Sequence, residues 1–216
     1  MAHIVIVGSD KGGTGKTTVT RLVLDYFSGK QRTLRIFDTE QPKPILPRFY
    51  PAAVQIDMRH TDGMMAVYDR LDDAEFTVVD IMAGLLTDAL ASMDDLGLLD
   101  AVRAGRHKLT VLHVLGTSVA SIGEVADVAK QIPGIQHVLV KNHINAADFA
   151  GLDPAVAKQA SLAIDIGQLD VTAYAEIDRL GLAYSAFIGS SGSLVQAGLT
   201  RSWLKKSFAE LAKVFQ

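Results

Sequence analysis

The 216-residue sequence contains no cysteine. Disulfide bonds, thiolate zinc sites, thiol catalysis and cysteine-ligated iron–sulfur clusters all require this residue, so each of them is excluded. Positive charge is not in excess either, because 21 Lys and Arg stand against 24 Asp and Glu, for a net charge of −3. This balance excludes a protein covered in positive charge, such as a histone-like DNA packer, but leaves a local basic patch open.

Long hydrophobic runs are also missing. The sequence has no run of about 18 strongly apolar residues, so no membrane-spanning helix is predicted. The uncharged stretch Gly181–Thr200 is interrupted by Gly189, Ser190, Ser191 and Gly192, and we interpret it as buried loop and turn. The N-terminus runs directly into a predicted strand and a glycine-rich loop, without a secretory signal. We therefore expect a soluble, cytoplasmic protein.

Short apolar runs rich in β-branched residues alternate with helical patterns along the chain. Such runs suit parallel strands covered on both faces, so the order predicts an α/β fold with a mainly parallel twisted sheet and helices on both faces. We expect a single domain over residues 1–216. The predicted strands are His3–Val7, Thr33–Phe37, Ala53–Met58, Phe76–Val79, Leu109–Leu115, His137–Val140 and Leu162–Ile166. One predicted helix begins at Gly15, and the others cover about Gly63–Leu71, Leu86–Ala104, Ser118–Gln131, Val171–Leu180 and Thr200–Phe215.

A proline-rich stretch, Gln41–Pro51, follows the second predicted strand. Its prolines cannot continue a helix or a central strand, so we expect a loop. Because the preceding strand ends at Asp38, the loop lies at the carboxyl edge of the sheet, where ligands bind in open α/β folds. Two interpretations stay open: a rigid connector, or a segment that responds to a bound nucleotide.

The segment Gly8–Thr18, GSDKGGTGKTT, follows a predicted strand and opens a predicted helix, as a phosphate-binding loop does. Glycines let the backbone fold around an anion and point N–H groups at it, and the helix N-terminus adds partial positive charge. Lys16 would supply a full charge to the β- and γ-phosphates, and the Thr17 hydroxyl can ligate Mg²⁺. The strict pattern has glycine where this sequence has Asp10.

The early lysine, Lys11, makes KGGTGKTT resemble the deviant Walker A motif of the ParA/MinD family of ATPases, in which the position of Asp10 is variable. The resemblance runs from Ile4 to about Gly181 and is greatest to short plasmid-partition ParA proteins and the cell-division regulator MipZ. It implies a P-loop NTPase fold of the SIMIBI type, Mg²⁺ bound with ATP, and a homodimer in which Lys11 of one subunit reaches the phosphates of the other. The loop residues that it implies in nucleotide binding are Lys11, Gly12, Gly13, Thr14, Gly15, Lys16, Thr17 and Thr18.

The same resemblance assigns roles to residues at the ends of two further strands. Asp38 in IFDTEQP would help to hold the hydration shell of Mg²⁺, and Glu40 stands where the family usually has an aspartate that orients the attacking water. Asp80 in FTVVDIMAG resembles the Walker B carboxylate that binds Mg²⁺ through water, and Gly84 would place a backbone N–H on the γ-phosphate. Without the resemblance, each carboxylate is a polar strand end before a turn. The implied catalytic residues are Lys11, Lys16 and Glu40, and the implied metal-site residues are Thr17, Asp38 and Asp80.

Asn142 in VLVKNH ends a predicted strand at the same edge. It resembles the family asparagine that hydrogen-bonds adenine, because an amide can both donate and accept and so matches an exocyclic amine and a ring nitrogen. An asparagine at a strand end is also a common turn former, and both interpretations stay open. The later loop Ile164–Leu169 is expected to border the base.

Several functions fit the resemblance. A DNA-cargo positioning ATPase would bind DNA without reading its sequence, through Lys and Arg contacts to phosphates. A membrane-associated ATPase of the MinD kind would use the apolar stripe of the last helix, although core packing requires the same stripe. An accessory ATPase for plasmid transfer would share every nucleotide residue, whereas Lys11 argues against a dethiobiotin-synthetase-like ligase. The candidate DNA contacts are Arg201, Lys205, Lys206 and Lys213, or Arg103, Arg106 and Lys108.

The expectation that we carry forward is a slow Mg²⁺-dependent ATPase that hydrolyses ATP to ADP and phosphate. It would dimerise on ATP, be stimulated by a partner protein, and act in plasmid or chromosome partition or in the positioning of DNA or protein cargo.

Overall fold

The computed structural model describes residues 1–115, 132, 134–144, 149 and 160–216. The strands in this part of the chain are β1 (His3–Gly8), β2 (Leu34–Asp38), β3 (Val54–Gln55), β4 (Phe76–Asp80), β5 (Lys108–Leu115), β6 (Gln136–Asn142) and β7 (Leu162–Ile166). The helices in the same part are α1 (Lys16–Gly29), α2 (Thr61–Tyr68), α3 (Leu86–Asp95), α4 (Leu98–Arg103), α5 (Val171–Leu180), α6 (Tyr184–Ser190) and α7 (Leu194–Val214). The strands form one sheet in the order β3-β2-β4-β1-β5-β6-β7, and every neighbouring pair is parallel. The predicted α/β fold with a parallel sheet is confirmed.

Helices cover both faces of the sheet because successive side chains of a strand point to opposite faces. In β1, Val5 and Val7 pack in a core with α1, α5, α6 and α7, whereas Ile4 and Ile6 pack in a second core with α2, α3 and α4. All four side chains are at most 1% exposed. Burial of a side chain of this size contributes about 1.5–3 kcal/mol. One central strand therefore stabilises both helical layers.

One sequence prediction is wrong, because Gly181–Thr200 is mostly helical rather than loop and turn. Helix α6 and the first turns of α7 occupy it, and the Ser193 hydroxyl caps α7 by accepting a hydrogen bond from the Gln196 N–H at 3.2 Å. The glycines and serines that predicted a loop lie at the end of α6 and at its junction with α7. Tyr184 and Phe187 are fully buried in the core, so tertiary packing stabilises the first of these helices.

Three other boundaries differ from the sequence prediction. The expected helix Leu86–Ala104 is divided into α3 and α4 at Gly97, whose φ of 72° is left-handed and ends a helix. The expected strand Ala53–Met58 is reduced to β3, since only two of its residues pair with β2. The expected helix Thr200–Phe215 begins six residues earlier as α7. The predicted helix Ser118–Gln131 lies outside the described residues.

The apolar stripe of α7 faces the core. Trp203, Leu204 and Leu211 are buried there, and the Trp203 indole N–H donates a hydrogen bond to the Gly167 carbonyl at 2.6 Å. The structure thus supports core packing, not membrane contact, as the role of this stripe. Among the helices that the structure describes, none is both long and apolar enough to cross a bilayer.

Candidate functional site

The predicted site residues meet at the carboxyl edge of the sheet. Asp38 and Asp80 are register partners at the ends of β2 and β4, and Val7 of β1 pairs with Asp80 from the other side. The loop that leaves β1 therefore begins beside two carboxylates. In open α/β sheets this edge, near the point where the order of strands reverses, is where ligands bind.

The phosphate loop between β1 and α1 is shaped by two glycines. Gly13 and Gly15 have φ values of 76° and 83°, in the left-handed region that favours glycine. Helix α1 begins at Lys16 without a side-chain cap among the described residues. The Thr14 hydroxyl is buried and has no hydrogen-bond partner in the same part of the chain. Together these features make the loop suited to an anion, whose oxygens would accept from the helix N–H groups and from this hydroxyl.

Lys16 lies within this loop and is 9% exposed. Its ammonium donates a hydrogen bond to the Lys11 carbonyl at 3.3 Å, so it is folded back over the loop. Burial lowers the pKa of Lys16. Three carboxylates act in the opposite direction, those of Asp80, Glu40 and Asp10, in decreasing order. The loop thus holds a partly desolvated cation at the N-terminus of α1.

Asp80 is the most strongly perturbed acid at this edge. The Thr17 and Thr20 hydroxyls donate to its two carboxylate oxygens at 2.8 and 2.9 Å. Burial raises the pKa of Asp80 to about 7, and the nearby charge of Asp38 also raises it, whereas the Thr17 hydrogen bond opposes the shift. Desolvation of a carboxylate is costly unless a countercharge is near, and a divalent cation would supply one.

The donor set at this edge suits Mg²⁺, which prefers oxygen ligands and keeps several waters. The residues that would hold the ion are the three that the sequence predicted: Thr17 through its hydroxyl, and Asp38 and Asp80 through their carboxylates. Thr17 and Asp80 are already joined by a hydrogen bond. The residues present therefore fit the ion that the motif implies.

Asp38 also has a structural role that sequence reasoning missed. Its carboxylate accepts hydrogen bonds from the backbone N–H groups of Glu40, Ile45 and Leu46 at 2.9, 2.7 and 2.8 Å. Three of its roughly four acceptor positions are thus occupied, which leaves one for a water on a metal ion. Asp38 fixes the start of the proline-rich segment to the site.

The remainder of that segment is fixed by buried contacts. Leu46 is fully buried, Phe49 lies under the Arg21 guanidinium at 3.5 Å, and the Tyr50 hydroxyl donates to the Arg21 carbonyl at 2.9 Å. Arg21 belongs to α1, the helix that begins at the phosphate loop. These contacts hold residues 45–50 against α1, and whether the segment responds to a bound nucleotide stays a prediction.

Thr39 is another residue that sequence reasoning missed. Its hydroxyl donates to the Asp80 carbonyl at 3.0 Å and accepts from the Met82 N–H at 2.8 Å, so it joins the end of β2 to the loop after β4. Further along that loop, Gly84 has a φ of 78° with open space around its Cα. The only sequence signal for Thr39 was its position directly after Asp38.

Two of the predicted catalytic residues lie at the open side of the loop. Lys11 is exposed, and the structure places it on the surface of the phosphate loop. Glu40 is half-buried, and its charge raises the pKa of Lys16, which places its carboxylate in the electrostatic environment of the loop. Both positions are compatible with the predicted roles, which stay predictions.

Asn142 is buried and contacts the phosphate loop. Its amide donates to the Thr14 carbonyl at 3.0 Å, and a Cβ at Gly15 would lie 2.3 Å from the amide nitrogen. Asn142 also lines an adjoining cavity of about 100 Å³. The cavity wall combines apolar, aromatic and amide side chains with backbone, a mixture that is typical of small-molecule sites. The residues that line it are Thr18, Asn142, Ile144, Gly167, Gln168, Leu169, Val171, Tyr174 and Trp203.

Three residues of the loop Ile164–Leu169 line this cavity, and that the loop borders a base stays a prediction. Sequence reasoning missed Tyr174 and Trp203. Both come from helices that follow in the chain, and their apolar spacing indicated only a buried helix face.

The two groups of candidate DNA contacts meet at one depression, which Lys108 of one group and Lys213 of the other both line. Arg103 pairs with Asp94 and Asp100, and Lys213 pairs with Glu210, so neither is an uncompensated charge. Lys108 and Lys213 line a depression of about 650 Å³ at the amino edge of the sheet, opposite the phosphate loop. The other basic residues, all exposed, are Arg106, Arg201, Lys205 and Lys206.

Known proteins resemble this chain weakly in sequence and more extensively in fold. No protein-family model matches the sequence. A curated relative, Protein MobD of Acidithiobacillus ferrooxidans, is 22% identical over 142 residues, which are 64% of this chain. The matched region spans 63% of the length of that relative.

Solved structures match more of the chain. The cell division ATPase MinD of Pyrococcus furiosus has a TM-score of 0.53 and 18% identity, over 93% of this chain and 98% of that one. The septum site-determining protein MinD of Pyrococcus horikoshii, complexed with Mg-ADP, has a TM-score of 0.53 and 15% identity, over 94% and 96%. The nucleotide-binding protein of Archaeoglobus fulgidus, in complex with ADP, has a TM-score of 0.54 and 15% identity, over 82% and 86%.

These similarities define the class of the fold. This chain has the P-loop NTPase fold of the MinD proteins, and the expected resemblance to ParA/MinD ATPases is confirmed at the level of the fold. The nucleotides in the Pyrococcus horikoshii and Archaeoglobus fulgidus complexes belong to those proteins.

Proposed function

We propose that this chain is a Mg²⁺-dependent ATPase of the ParA/MinD type, which binds ATP at the carboxyl edge of its sheet. The observation that carries the proposal is the arrangement of Lys16, Thr17 and Asp80. A half-desolvated ammonium lies in a left-handed glycine loop, and the next residue donates a hydrogen bond to a fully buried carboxylate. Buried charge of this kind is costly for stability, and a bound phosphate with its metal ion compensates it.

The reaction proposed is hydrolysis of the γ-phosphoanhydride by water, and each residue has one task. Lys16 stabilises the negative charge that builds on the transferred phosphoryl group. Thr17, Asp38 and Asp80 would hold Mg²⁺, which would supply positive charge to the phosphates. Glu40 orients the attacking water.

The base of the nucleotide is proposed to occupy the cavity beside Asn142. Its amide would hydrogen-bond adenine, and Tyr174 and Trp203 would contact the rest of the ring system. Because that amide donates a hydrogen bond to the Thr14 carbonyl, one side chain would contact both the base and the phosphate loop. A Trp203 beside the base also supplies an optical signal for binding.

ATP is proposed to join two copies of the chain. Lys11 is exposed on the loop, where it is free of the packing that holds Lys16. In the dimer it would reach the phosphates of the second subunit, as the motif implies. A partner protein would then stimulate a slow hydrolysis.

The protein is proposed to bind DNA rather than a membrane. The process in which it is proposed to act is the partition of DNA in the cytoplasm. The apolar stripe along the later part of α7 is buried in the core and not available to lipid, whereas the first turns of the helix expose apolar side chains. On its outer side, Arg201, Lys205 and Lys206 are exposed and form no ion pair with any described residue. Dimerisation would double this patch, which suits contacts to DNA phosphates.

The central test is Lys16→Ala. Nucleotide binding or hydrolysis should be abolished, because the loop loses its cation for the phosphates. Lys108→Ala is the matched control, since this lysine lies at the opposite edge of the sheet. Equal ATPase rates in wild type and Lys16→Ala would overturn the proposal.

Dimerisation and surface binding have separate tests. Lys11→Ala should still bind ATP but remain monomeric in light-scattering measurements, and an ATP-bound Lys11→Ala dimer would count against the contact in trans. ATP-dependent co-sedimentation with DNA and with liposomes distinguishes the surfaces. Reversal of charge at Arg201 and Lys205 should reduce DNA retention more than reversal at Arg106 and Lys108.

A further inference from the structure

Asp10 lies in the phosphate loop at the position where the strict motif has glycine, and its side chain leaves the loop. One carboxylate oxygen accepts a hydrogen bond from the Leu86 N–H at 3.2 Å, and the other accepts from the Thr87 hydroxyl at 2.9 Å. Leu86 is the first residue of α3. The carboxylate is therefore the cap of a helix that begins 76 residues later in the chain.

Within the described part of the chain, the residue at the N-cap position of α3 does not cap the helix with its own side chain. The residue before it, Leu85, has an apolar side chain that makes no capping hydrogen bond. The first N–H groups of a helix need acceptors, and a negative charge near them is favoured by the helix dipole. Asp10 meets both needs from outside the helix.

A second contact joins the same two segments. A Cβ at Gly8, where β1 ends and the phosphate loop begins, would lie 2.8 Å from a methyl carbon of Leu86. The glycine thus lets the Leu86 side chain pack directly on the loop. Polar and apolar contacts independently hold the start of α3 against the phosphate loop.

The residues between β4 and α3, numbers 81–85, are here named the Gly84 loop. Its first part is held by Thr39, which accepts the Met82 N–H, and its far end is held where Asp10 caps α3. Gly84 lies between these anchors, in a left-handed conformation with open space around it. Under the proposed function, this is the loop that would meet the γ-phosphate.

We propose that Asp10 is a positioning residue that ties the phosphate loop to the Gly84 loop through the N-terminus of α3. The expected consequence is that nucleotide bound by the phosphate loop orders the Gly84 loop. This consequence rests on the proposed function. The positioning role also explains the departure of Asp10 from the glycine of the strict motif. The charge of Asp10 lies close enough to affect Lys16, and its hydrogen bonds to α3 direct the carboxylate away from the phosphates.

The test is hydrogen–deuterium exchange of residues 81–90 in the full chain, without nucleotide and with MgADP. In Asp10→Ala, exchange at the start of α3 should be about fivefold faster without nucleotide, which is the usual effect of losing a helix N-cap. Asp10→Asn should restore the slow exchange, because asparagine caps helices about as well as aspartate. Thr87→Val should give a smaller increase, since the bond to Leu86 remains.

The matched control is Asp88→Ala, which removes an acid from the same helical turn. The Asp88 side chain forms no hydrogen bond with any residue that the structure describes, so its loss removes only a charge from the first turn and should speed exchange less than Asp10→Ala does. With MgADP, the Gly84 loop should become protected in wild type and Asp10→Asn, and remain unprotected in Asp10→Ala even when ADP saturates it.

Two results would overturn the inference, and both can be distinguished from results that refute the proposed function. Equal exchange in Asp10→Ala and Asp88→Ala without nucleotide would show that Asp10 does not hold α3. Protection of the Gly84 loop by ADP in Asp10→Ala would show that nucleotide orders this loop without the contact between Asp10 and α3. If wild type itself bound no ADP, both the proposed function and the proposed effect of nucleotide on the Gly84 loop would be refuted. The comparison without nucleotide would still show whether Asp10 holds the start of α3.

Discussion

The contact between Gly15 and Asn142 leads to a quantitative prediction about stability. Gly15 has a φ of 83°, and a Cβ there would lie 2.3 Å from the amide nitrogen of Asn142, which is buried and donates to the Thr14 carbonyl. Gly15→Ala therefore has two costs: the left-handed conformation of a residue with a Cβ, about 1.5 kcal/mol, and the displaced amide with its lost hydrogen bond, about 1.5 kcal/mol. The expected loss of unfolding free energy is about 3 kcal/mol.

Gly13 supplies the matched control. Its φ is 76°, but no atom of the described residues lies within 4 Å of a Cβ built there, so Gly13→Ala carries only the backbone cost of about 1.5 kcal/mol. Thermal unfolding of the nucleotide-free protein measures both. For a domain of this size, the midpoint should fall by roughly 6–12 °C in Gly15→Ala and roughly 3–6 °C in Gly13→Ala.

A double-mutant cycle isolates the clash. In an Asn142→Ala background, Gly15→Ala should cost about 1.5 kcal/mol, because the amide that it displaces is gone. The reasoning would be refuted if the two glycine variants were equally destabilised, or if the Asn142→Ala background gave no relief.

Three further predictions follow from the site and the core. Because Trp203 is the only tryptophan and lines the cavity, ATP should change the tryptophan fluorescence of wild type but not of Lys16→Ala; an unchanged spectrum with bound ATP would contradict the base site. Thr17→Ala should weaken nucleotide binding about tenfold in Mg²⁺ and hardly at all in EDTA, since the lost hydroxyl belongs to the metal site; equal losses would argue against that role. Burial lowers the pKa of His113 to about 3. Below pH 6.5 the unfolded chain therefore binds more protons at this histidine than the folded protein does, so the free energy of unfolding falls as the pH drops. Denaturant titrations at pH 7 and 4.5 should show a smaller pH dependence in His113→Gln.

Much of the site was predictable because its chemistry is local in sequence. A loop that binds phosphate needs glycines and a lysine within a few residues, directly after a strand and before a helix, and Gly8–Thr18 shows that pattern. The carboxylates Asp38 and Asp80 were added through the resemblance, and the register now pairs them at one edge of the sheet, while their role in holding a metal ion stays a prediction. The assignment of Glu40 and Lys11 to catalysis depends on the resemblance and stays a prediction.

Helix boundaries were predicted less well where small residues were involved. The serines and glycines of Gly181–Thr200 indicated a loop, but Tyr184 and Phe187 pack into the core and stabilise α6. Propensity is a weak local preference, and burial of two aromatic side chains outweighs it. Gly97 shows the opposite case, since its left-handed conformation divides a segment that apolar spacing alone predicted as one helix.

The sequence by itself determined the alternation of strands and helices over most of the chain and the phosphate loop, because each depends on residues close together in the chain. Only the tertiary structure decided that Asp10 caps α3, that Asn142 supports the phosphate loop, and that Trp203 borders the cavity. These contacts join residues separated by 76 positions in the first case and 128 in the second. Such pairs leave no periodic pattern in a single sequence, since they arise only when the packing of two layers on one sheet brings distant loops to the same edge.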